Sequence, residues 1–252
     1  MGERLTMEIP SISEINQKVF DNVEGWVGPR VHQILEFFQT IHKEFDVTGD
    51  IVEIGIHHGM FFFMLAGMID HSSTCFAIDI FENQEINIDN SGQGSRVVFE
   101  DHIKNHFPFV SKITNIIQKD SLAISPLTSS SLLSNKVKIF SVDGGHTVMH
   151  VVNDLSISQE VLLPFGVAIL DDFLGPHWPS VTEGFFRYMN FYNRRLAPLI
   201  IFQNKLFITT YSEHHTVFER AVAHVKEHFH SEAFVKWRIA ELCGFKVLCY
   251  SE

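Results

Sequence analysis

Residues 50–59 read DIVEIGIHHG, an apolar run rich in β-branched residues that ends in two glycines, Gly55 and Gly59. A short apolar run bounded by turn signals is typical of a strand that is buried on both faces. Such strands occur in parallel sheets that helices cover on both sides. The stretch therefore predicts the first strand of an α/β sheet, with a glycine-bearing loop at its carboxyl end.

The same alternation extends to both sides of this strand. Residues 11–45 carry apolar side chains at helical spacing, with a break predicted at Gly28-Pro29. Further helices are predicted over residues 60–70, 96–107 and 148–161, and further strands over residues 74–80, 113–118, 137–143 and 167–171. Strands that alternate with helices form a parallel sheet.

The last third of the chain departs from this alternation. Residues 198–202 and 205–210 read as strands joined by two residues, which is too short for a parallel crossover and predicts an antiparallel hairpin. A helix over residues 216–229 and a short strand over residues 245–250 follow. We therefore expect a mostly parallel, seven-stranded sheet with a C-terminal antiparallel hairpin. We divide the chain into an N-terminal helical segment, residues 1–46, acting as a lid or oligomer contact, and a main domain, residues 47–252.

Composition narrows the class of protein. With 252 residues, 45% of them hydrophobic and 19% charged, the chain can form one large core. A net charge of -11 spread along the chain argues against a nucleic-acid partner. The three cysteines form no Cys-x-x-Cys pair, and no apolar run is long enough to span a bilayer. We expect a cytoplasmic protein that has a small-molecule partner, no membrane partner and a possible homo-oligomeric state.

Polar residues follow the first three predicted strands. Glu53 and Gly55 end the first strand, Asp79 ends the second, and Asp120-Ser121 follow the third. Ligands of open parallel sheets bind beyond the carboxyl ends of the strands. Asp79 is placed to accept hydrogen bonds from ribose hydroxyls, and Asp120 to receive an adenine amino group. For the glycines an ordinary tight turn, and for Asp120 a helix cap, remain alternative interpretations.

The fourth and fifth strands predict a metal site. The fourth ends in Asp143-Gly-Gly-His146 and the fifth in Asp171-Asp172, and neighbouring strands lie about 4.8 Å apart. Three carboxylates this close repel one another, and a divalent cation such as Mg²⁺ relieves that repulsion. His146 is a candidate general base, with a helix cap as the alternative. We expect His150, one turn later, to be solvated.

The loop after the fifth strand, with His177 and Trp178, is a candidate wall of the acceptor pocket. The alternative is a packed surface loop.

Together, Glu53-x-Gly55-x-x-x-Gly59, Asp79 and Asp120 resemble the cofactor motifs of class I S-adenosylmethionine-dependent methyltransferases. The resemblance covers residues 51–210 and implies the Rossmann-like class I methyltransferase fold. It implies that the glycines lie beside the amino-acid part of the cofactor, that Asp79 holds the ribose and that Asp120 lies near the adenine. The cofactor-binding residues expected from it are Glu53, Gly55, Gly59, Asp79, Ser91, Asp120, Ser121 and Asp143.

The Asp143-Gly-Gly-His146 motif, residues 153–155 (NDL), residues 171–173 (DDF) and the polar loop of residues 79–92 are similar to one branch of that family. This is the macrocin/mycinamicin type of metal-dependent sugar O-methyltransferase. The resemblance implies metal ligands at Asp143, Asp171 and Asp172, a base at His146 and a hydroxyl acceptor on a small natural product. One departure is that Asp171-Asp172 can be a Glu-Asp pair in that branch.

Three alternatives remain open at this point. A catechol-like phenol O-methyltransferase would use the same residues, because adjacent hydroxyls chelate the same metal. A metal-free methyltransferase would use the aspartates as hydrogen-bond acceptors only. A non-catalytic S-adenosylmethionine-binding module would keep the fold without the reaction.

Overall fold

The computed structural model describes residues 9–134, 136–228 and 236–251. Its strands are β1 (Asp50–Ile54), β2 (Cys75–Asp79), β3 (Thr114–Gln118), β4 (Val137–Val142), β5 (Leu162–Leu170), β6 (Leu196–Phe202), β7 (Lys205–Thr210), β8 (Lys236–Leu242) and β9 (Phe245–Ser251). Its helices are α1 (Ile12–Asn22), α2 (Val31–Glu44), α3 (Met60–Ala66), α4 (Arg96–Asn105), α5 (Ser129–Leu133), α6 (Val148–Val161), α7 (Pro179–Met189) and α8 (His214–His228).

Within these residues the strands form one sheet in the order β3-β2-β1-β4-β5-β7-β6-β9-β8. The first five are parallel, and β1 lies between β2 and β4. The chain order reverses at β1 and β4, which opens a crevice at the carboxyl ends of these strands. The predicted α/β Rossmann-like architecture and its parallel half are confirmed.

The prediction of seven strands is wrong, because the described residues contain nine. The predicted hairpin is present as β6 and β7, but β8 and β9 add a second hairpin, and β9 pairs parallel to β6. In β8 only exposed and half-buried positions occur, so no apolar run marks it. The turn residues Cys243 and Gly244 both have positive φ, 52° and 82°, as in a type I′ turn.

Helices cover both faces of the sheet. The N-terminal segment forms α1 and α2, separated near the predicted break, and a capping box of Ser11 and Glu14 starts α1. One apolar cluster includes Phe62, Phe63 and Phe99, and the other includes Phe185. In the predicted helix over residues 216–229, residue 229 lies outside the described part of the chain, as do residues 1–8 of the predicted N-terminal segment. None of the described helices is long and apolar enough to cross a bilayer.

Candidate active site

A cavity of about 630 Å³ opens at the carboxyl ends of the parallel strands. Its lining contains twelve of the thirteen residues expected from the sequence: Glu53, Gly55, Asp79, Ser91, Asp120, Ser121, Asp143, His146, Asp171, Asp172, His177 and Trp178. The volume lies in the range of cofactor and small-molecule pockets. The fold thus gathers these residues from five strand ends and two loops into one place.

Gly55 and Gly59 occupy different positions relative to this cavity. Gly55 has φ +89°, and a Cβ there would lie 1.8 Å from the carbonyl oxygen of Asp143, so the residue lets two strand-end loops approach. Gly59 starts α3 outside the cavity lining, with φ +94°, and a Cβ would lie 2.5 Å from the ring of Phe63. Close packing of α3 therefore accounts for Gly59 without a ligand.

The carboxylate of Asp79 connects the loops after β1 and β2. Its Oδ2 accepts hydrogen bonds from the backbone N–H of Ile56 (2.6 Å) and His57 (2.9 Å), and its Oδ1 accepts one from Phe81 (2.5 Å). Burial raises the pKa of Asp79, and these three bonds offset only part of that effect. The group therefore fixes the shape of the cavity wall that it lines.

Asp120 lies in the cavity wall after β3, and its Oδ1 accepts a hydrogen bond from the N–H of Leu122 (2.9 Å). The cap interpretation is therefore correct, without excluding a ligand contact. His150 is buried, with Nε2 3.3 Å from Asp120 Oδ1 and Nδ1 2.7 Å from Thr147 Oγ1. Our expectation that His150 is solvated was wrong, because its ring lies under Gly145, where a Cβ would be 2.7 Å away.

His146 is held by the long loop between β2 and α4. Asp89 Oδ2 lies 2.9 Å from His146 Nδ1 and accepts a 2.7 Å hydrogen bond from the His146 backbone N–H. The ring stacks on Trp178 with centroids 4.3 Å apart and an interplanar angle of 15°. Because Asp89 is acceptor-only when ionised, Nδ1 carries the proton, and Nε2, which lies 3.3 Å from Asp172 Oδ2, is the nitrogen that can exchange a proton with a ligand in the cavity.

Burial and two neighbouring carboxylates change the pKa of His146 in opposite directions. Burial lowers the pKa of His146, but hydrogen bonds to Asp172 and Asp89 outweigh it, and the net pKa is raised. Asp89 was not among the residues expected from the sequence. It is 57 residues from His146 in the chain, and only the folded loop reveals the pair.

The carboxylates at the ends of β4 and β5 have unequal partners: Asp172 accepts one longer hydrogen bond from Asn204 Nδ2 (3.2 Å), on Oδ1, whereas both oxygens of Asp171 are engaged. Asp143, His146 and Asp172 each offer a ligand atom within 4.8 Å of the others, a donor set that fits a divalent cation. Asp171, by contrast, is engaged by protein: its Oδ1 accepts from Asn204 Nδ2 (2.9 Å) and from the N–H of Asp172 (2.8 Å). Its Oδ2 accepts from Lys205 Nζ.

Lys205 is the second residue that the sequence analysis missed. It starts β7, its side chain is 1% exposed, and its ammonium lies 4.3 Å from the centroid of the Phe61 ring. Burial lowers the pKa of Lys205, but Asp171 and Asp143 outweigh it and raise the pKa above its usual range. Burial also raises the pKa of Glu53 to about 8, and burial with Asp171 raises that of Asp143. Burial at the floor of the cavity therefore favours the protonated forms of Glu53 and Asp143, although Lys205 opposes this.

Apolar side chains stand on the open side of the cavity, and one of them, Trp26, belongs to the N-terminal segment expected to act as a lid or oligomer contact. Trp26, Ile86 and Ile88 line the cavity, although 75%, 41% and 66% of their respective surfaces are exposed. The Trp26 ring lies 5.1 Å from that of His57. Exposed apolar residues at a cavity mouth are typical of ligand-binding surfaces.

Residues 52–173 match the model of a family described as a methyltransferase domain. Comparison with curated proteins gives no match. Among solved structures, the O-methyltransferase NovP aligns over 79% of this chain and 78% of its own, with a TM-score of 0.54 and 14% identity. A putative O-methyltransferase from Klebsiella pneumoniae aligns over 82% and 92%, with a TM-score of 0.53 and 11% identity.

The MycE methyltransferase of the mycinamycin pathway, solved in complex with Mg and SAH, is a third similar structure. It aligns over 81% of this chain with a TM-score of 0.52 and 14% identity. The alignment covers 55% of MycE, so this chain spans about half of its length. At these identities the structural likeness establishes the fold.

Proposed function

We propose that the chain, whose residues 52–173 match a methyltransferase domain, is an S-adenosylmethionine-dependent methyltransferase that methylates a hydroxyl oxygen of a small natural product, such as a sugar-bearing one. The observation that carries the proposal is the Asp89–His146 pair, with Nδ1 held at 2.9 Å and Nε2 beside Asp172 in the cavity. A hydroxyl needs a base before it becomes a good nucleophile, and this pair supplies one.

The cofactor residues expected from the sequence support the first half of the proposal. When bound, S-adenosylmethionine supplies an electrophilic methyl group on a sulfonium sulfur. Asp79 lines the cavity and, beyond its three backbone bonds, keeps one acceptor site on Oδ1 for a ribose hydroxyl. Asp120 and His150 line the region beyond β3, where we assign the adenine. Gly55 lines the cavity where the loops after β1 and β4 approach each other, and there we assign the amino-acid part.

His146 is the proposed general base. Asp89 fixes the ring so that Nε2 takes the acceptor proton, and the carboxylate stabilises the imidazolium that forms. The stacked Trp178 ring restricts rotation of the imidazole and excludes water from one of its faces. The proton then passes from Nε2 to solvent through the open side of the cavity.

Asp143 and Asp172 are the proposed carboxylate ligands of a divalent cation. When bound, the cation favours the ionised form of the acceptor hydroxyl. His146 Nε2 lies 3.3 Å from Asp172 Oδ2, so the same nitrogen is within reach of both roles. We assign Nε2 to the proton, because Asp89 already gives the ring the orientation and charge of a base.

A transfer assay with methyl-labelled cofactor tests this proposal, using panels of sugars and phenols with and without Mg²⁺. We expect labelled methyl ether from at least one hydroxylated acceptor, with a higher rate in Mg²⁺ than in chelator. Unchanged activity in excess chelator would remove the metal from the proposal. Transfer to no hydroxyl in either panel would contradict the proposal as a whole.

A second candidate acceptor is a catechol-like phenol. The apolar rim of Trp26, Ile86 and Ile88 favours a flat apolar ring over a free sugar. If the acceptor is a phenol, Trp26→Ala should raise its KM while leaving cofactor affinity unchanged. If the acceptor is a free sugar, the phenol panel should give no product in the labelled assay.

A further inference from the structure

Four ionisable side chains meet at the floor of the cavity, three of them in its lining. Glu53, Asp143 and Asp171 come from the ends of β1, β4 and β5, and Lys205 starts β7. The pairing of Leu170 with Leu206 across β5 and β7 brings Asp171 and Lys205 next to each other. Of these four side chains, Lys205 alone carries positive charge.

Lys205 approaches Asp171 from the protein interior. Asp171 and Asn204 line the cavity, whereas Lys205 does not and is 1% exposed. Its ammonium contacts Asp171 Oδ2 on one side and the face of Phe61 on the other. Solvent cations therefore have no access to the position that Lys205 holds.

The bonds to Asp171 leave little room for a metal ion. Both lone-pair directions of Oδ1 are used, by Asn204 Nδ2 and the N–H of Asp172. A divalent cation on Oδ2 would share that oxygen with the ammonium, and like charges at such a separation repel strongly in a buried site. Asp171 is also absent from the group of potential ligands formed by Asp143, His146 and Asp172.

We infer that the Lys205 ammonium occupies the cation position beside Asp171 and neutralises that carboxylate, so that a divalent cation is bound by Asp143 and Asp172. Lys205 is then a positioning residue, which acts through Asp171 and through the charge of the site. The inference rests on the proposed metal-assisted function. The two neighbouring aspartates then have different roles: Asp171 forms an internal ion pair, and Asp172 binds the metal.

Mn²⁺ titration of the full-length chain, with free Mn²⁺ measured by electron paramagnetic resonance, tests the inference without an activity assay. Asp172→Asn should weaken Mn²⁺ binding at least tenfold. The double variant Asp171→Asn/Lys205→Met removes the whole pair and should stay within about threefold of the parent. Lys205→Met alone removes a repelling charge and frees Asp171, so it should bind Mn²⁺ at least tenfold more tightly.

Lys138→Met is the matched control, since Lys138 is a buried lysine paired with Asp70 elsewhere in the sheet. It should leave Mn²⁺ affinity unchanged, and circular dichroism checks that each variant is folded. If Lys205→Met does not fold, the Mn²⁺ affinities of Asp172→Asn and of the double variant still test the inference. Equal losses in those two variants, or no Mn²⁺ binding by the parent and Lys205→Met, would overturn the inference. Failure of the proposed function would appear separately, as absence of labelled methyl ether.

Discussion

Two buried lysine–aspartate pairs lie at opposite ends of the parallel strands. Lys205–Asp171 lies at their carboxyl ends, called the carboxyl edge below, and Lys138–Asp70 lies at their amino ends, called the amino edge. The two lysine side chains are 1% and 4% exposed. At the amino edge, Asp70 also accepts from the N–H of Gly49 (3.0 Å). The lysine and these bonds outweigh burial and hold the pKa of Asp70 well below its usual range.

The carboxyl edge differs in its balance of charge. There Lys205 faces Asp171 together with the half-buried Asp143 and the buried Glu53, whose pKa values are raised by loss of contact with water. A buried ion pair with complete partners needs no further ligand, whereas surplus carboxylates invite a cation. Similar pairs of residues therefore differ in their surroundings: the pair at the amino edge is self-contained, and the pair at the carboxyl edge lies among further carboxyl groups of the cavity floor.

The largest effect should come from a histidine at the carboxyl edge. His146→Ala removes the proposed base, and we expect methyl transfer to fall about 10²- to 10⁴-fold. The matched control is His42→Gln, which changes a buried histidine at the amino edge and should keep the parent rate. Steady-state kinetics on folded protein measure both, and a parental rate in His146→Ala would remove the distinction between the edges.

At the amino edge the corresponding loss should be one of stability. Lys138→Met leaves Asp70 without its cation and should lower the free energy of unfolding by about 3 kcal/mol, at the lower end for a buried pair because Asp70 is partly exposed. Denaturant titration measures the change. A drop in turnover per folded molecule would show that this edge also serves the reaction.

Asp89→Asn should lower turnover about 10- to 100-fold, as expected for the partner that orients a functional histidine. The hydrogen bond that His146 donates to Asp89 raises the pKa of His146, so its removal should lower that pKa. The acid limb of the pH–rate profile should therefore move to lower pH in the variant. A limb that stays in place would mean that another group controls it.

The smallest effect concerns His42 beside Lys138. Burial and the lysine lower the pKa of His42 to about 3, from 6.5. As pH falls, His42 therefore takes up a proton at a higher pH in the unfolded chain than in the folded one. The contribution of His42 to the free energy of unfolding is complete above pH 6.5 and is lost below it. The free energy of unfolding should fall by about 2 kcal/mol from this group between pH 7 and pH 5. His42→Gln should remove that part of the slope.

The parallel half of the fold could be predicted because its strands are continuous apolar runs. Residues 50–59 are one such run, and β4 and β5 end in motifs that mark the crevice. By contrast, β8 was missed because it contains no buried position and lies at the edge of the sheet. Its marker is the Cys243-Gly244 turn, which is a weak local signal.

The candidate site was predictable where residues follow strand ends directly, as with Asp79, Asp143 and Asp172. Asp89 and Lys205 could not be found in that way. Asp89 depends on how a long loop folds back to His146. Lys205 depends on the antiparallel pairing of β5 with β7, which sets residues 34 positions apart side by side.

The atom that receives the methyl group tests the central claim most directly. With ¹³C-methyl-labelled S-adenosylmethionine, the parent chain and a hydroxylated acceptor, NMR of the product identifies the atom that carries the label. We predict a methyl ether, formed by the parent and strongly reduced in His146→Ala. A label on nitrogen or carbon, or the same ether at the same rate in both proteins, would contradict the claim.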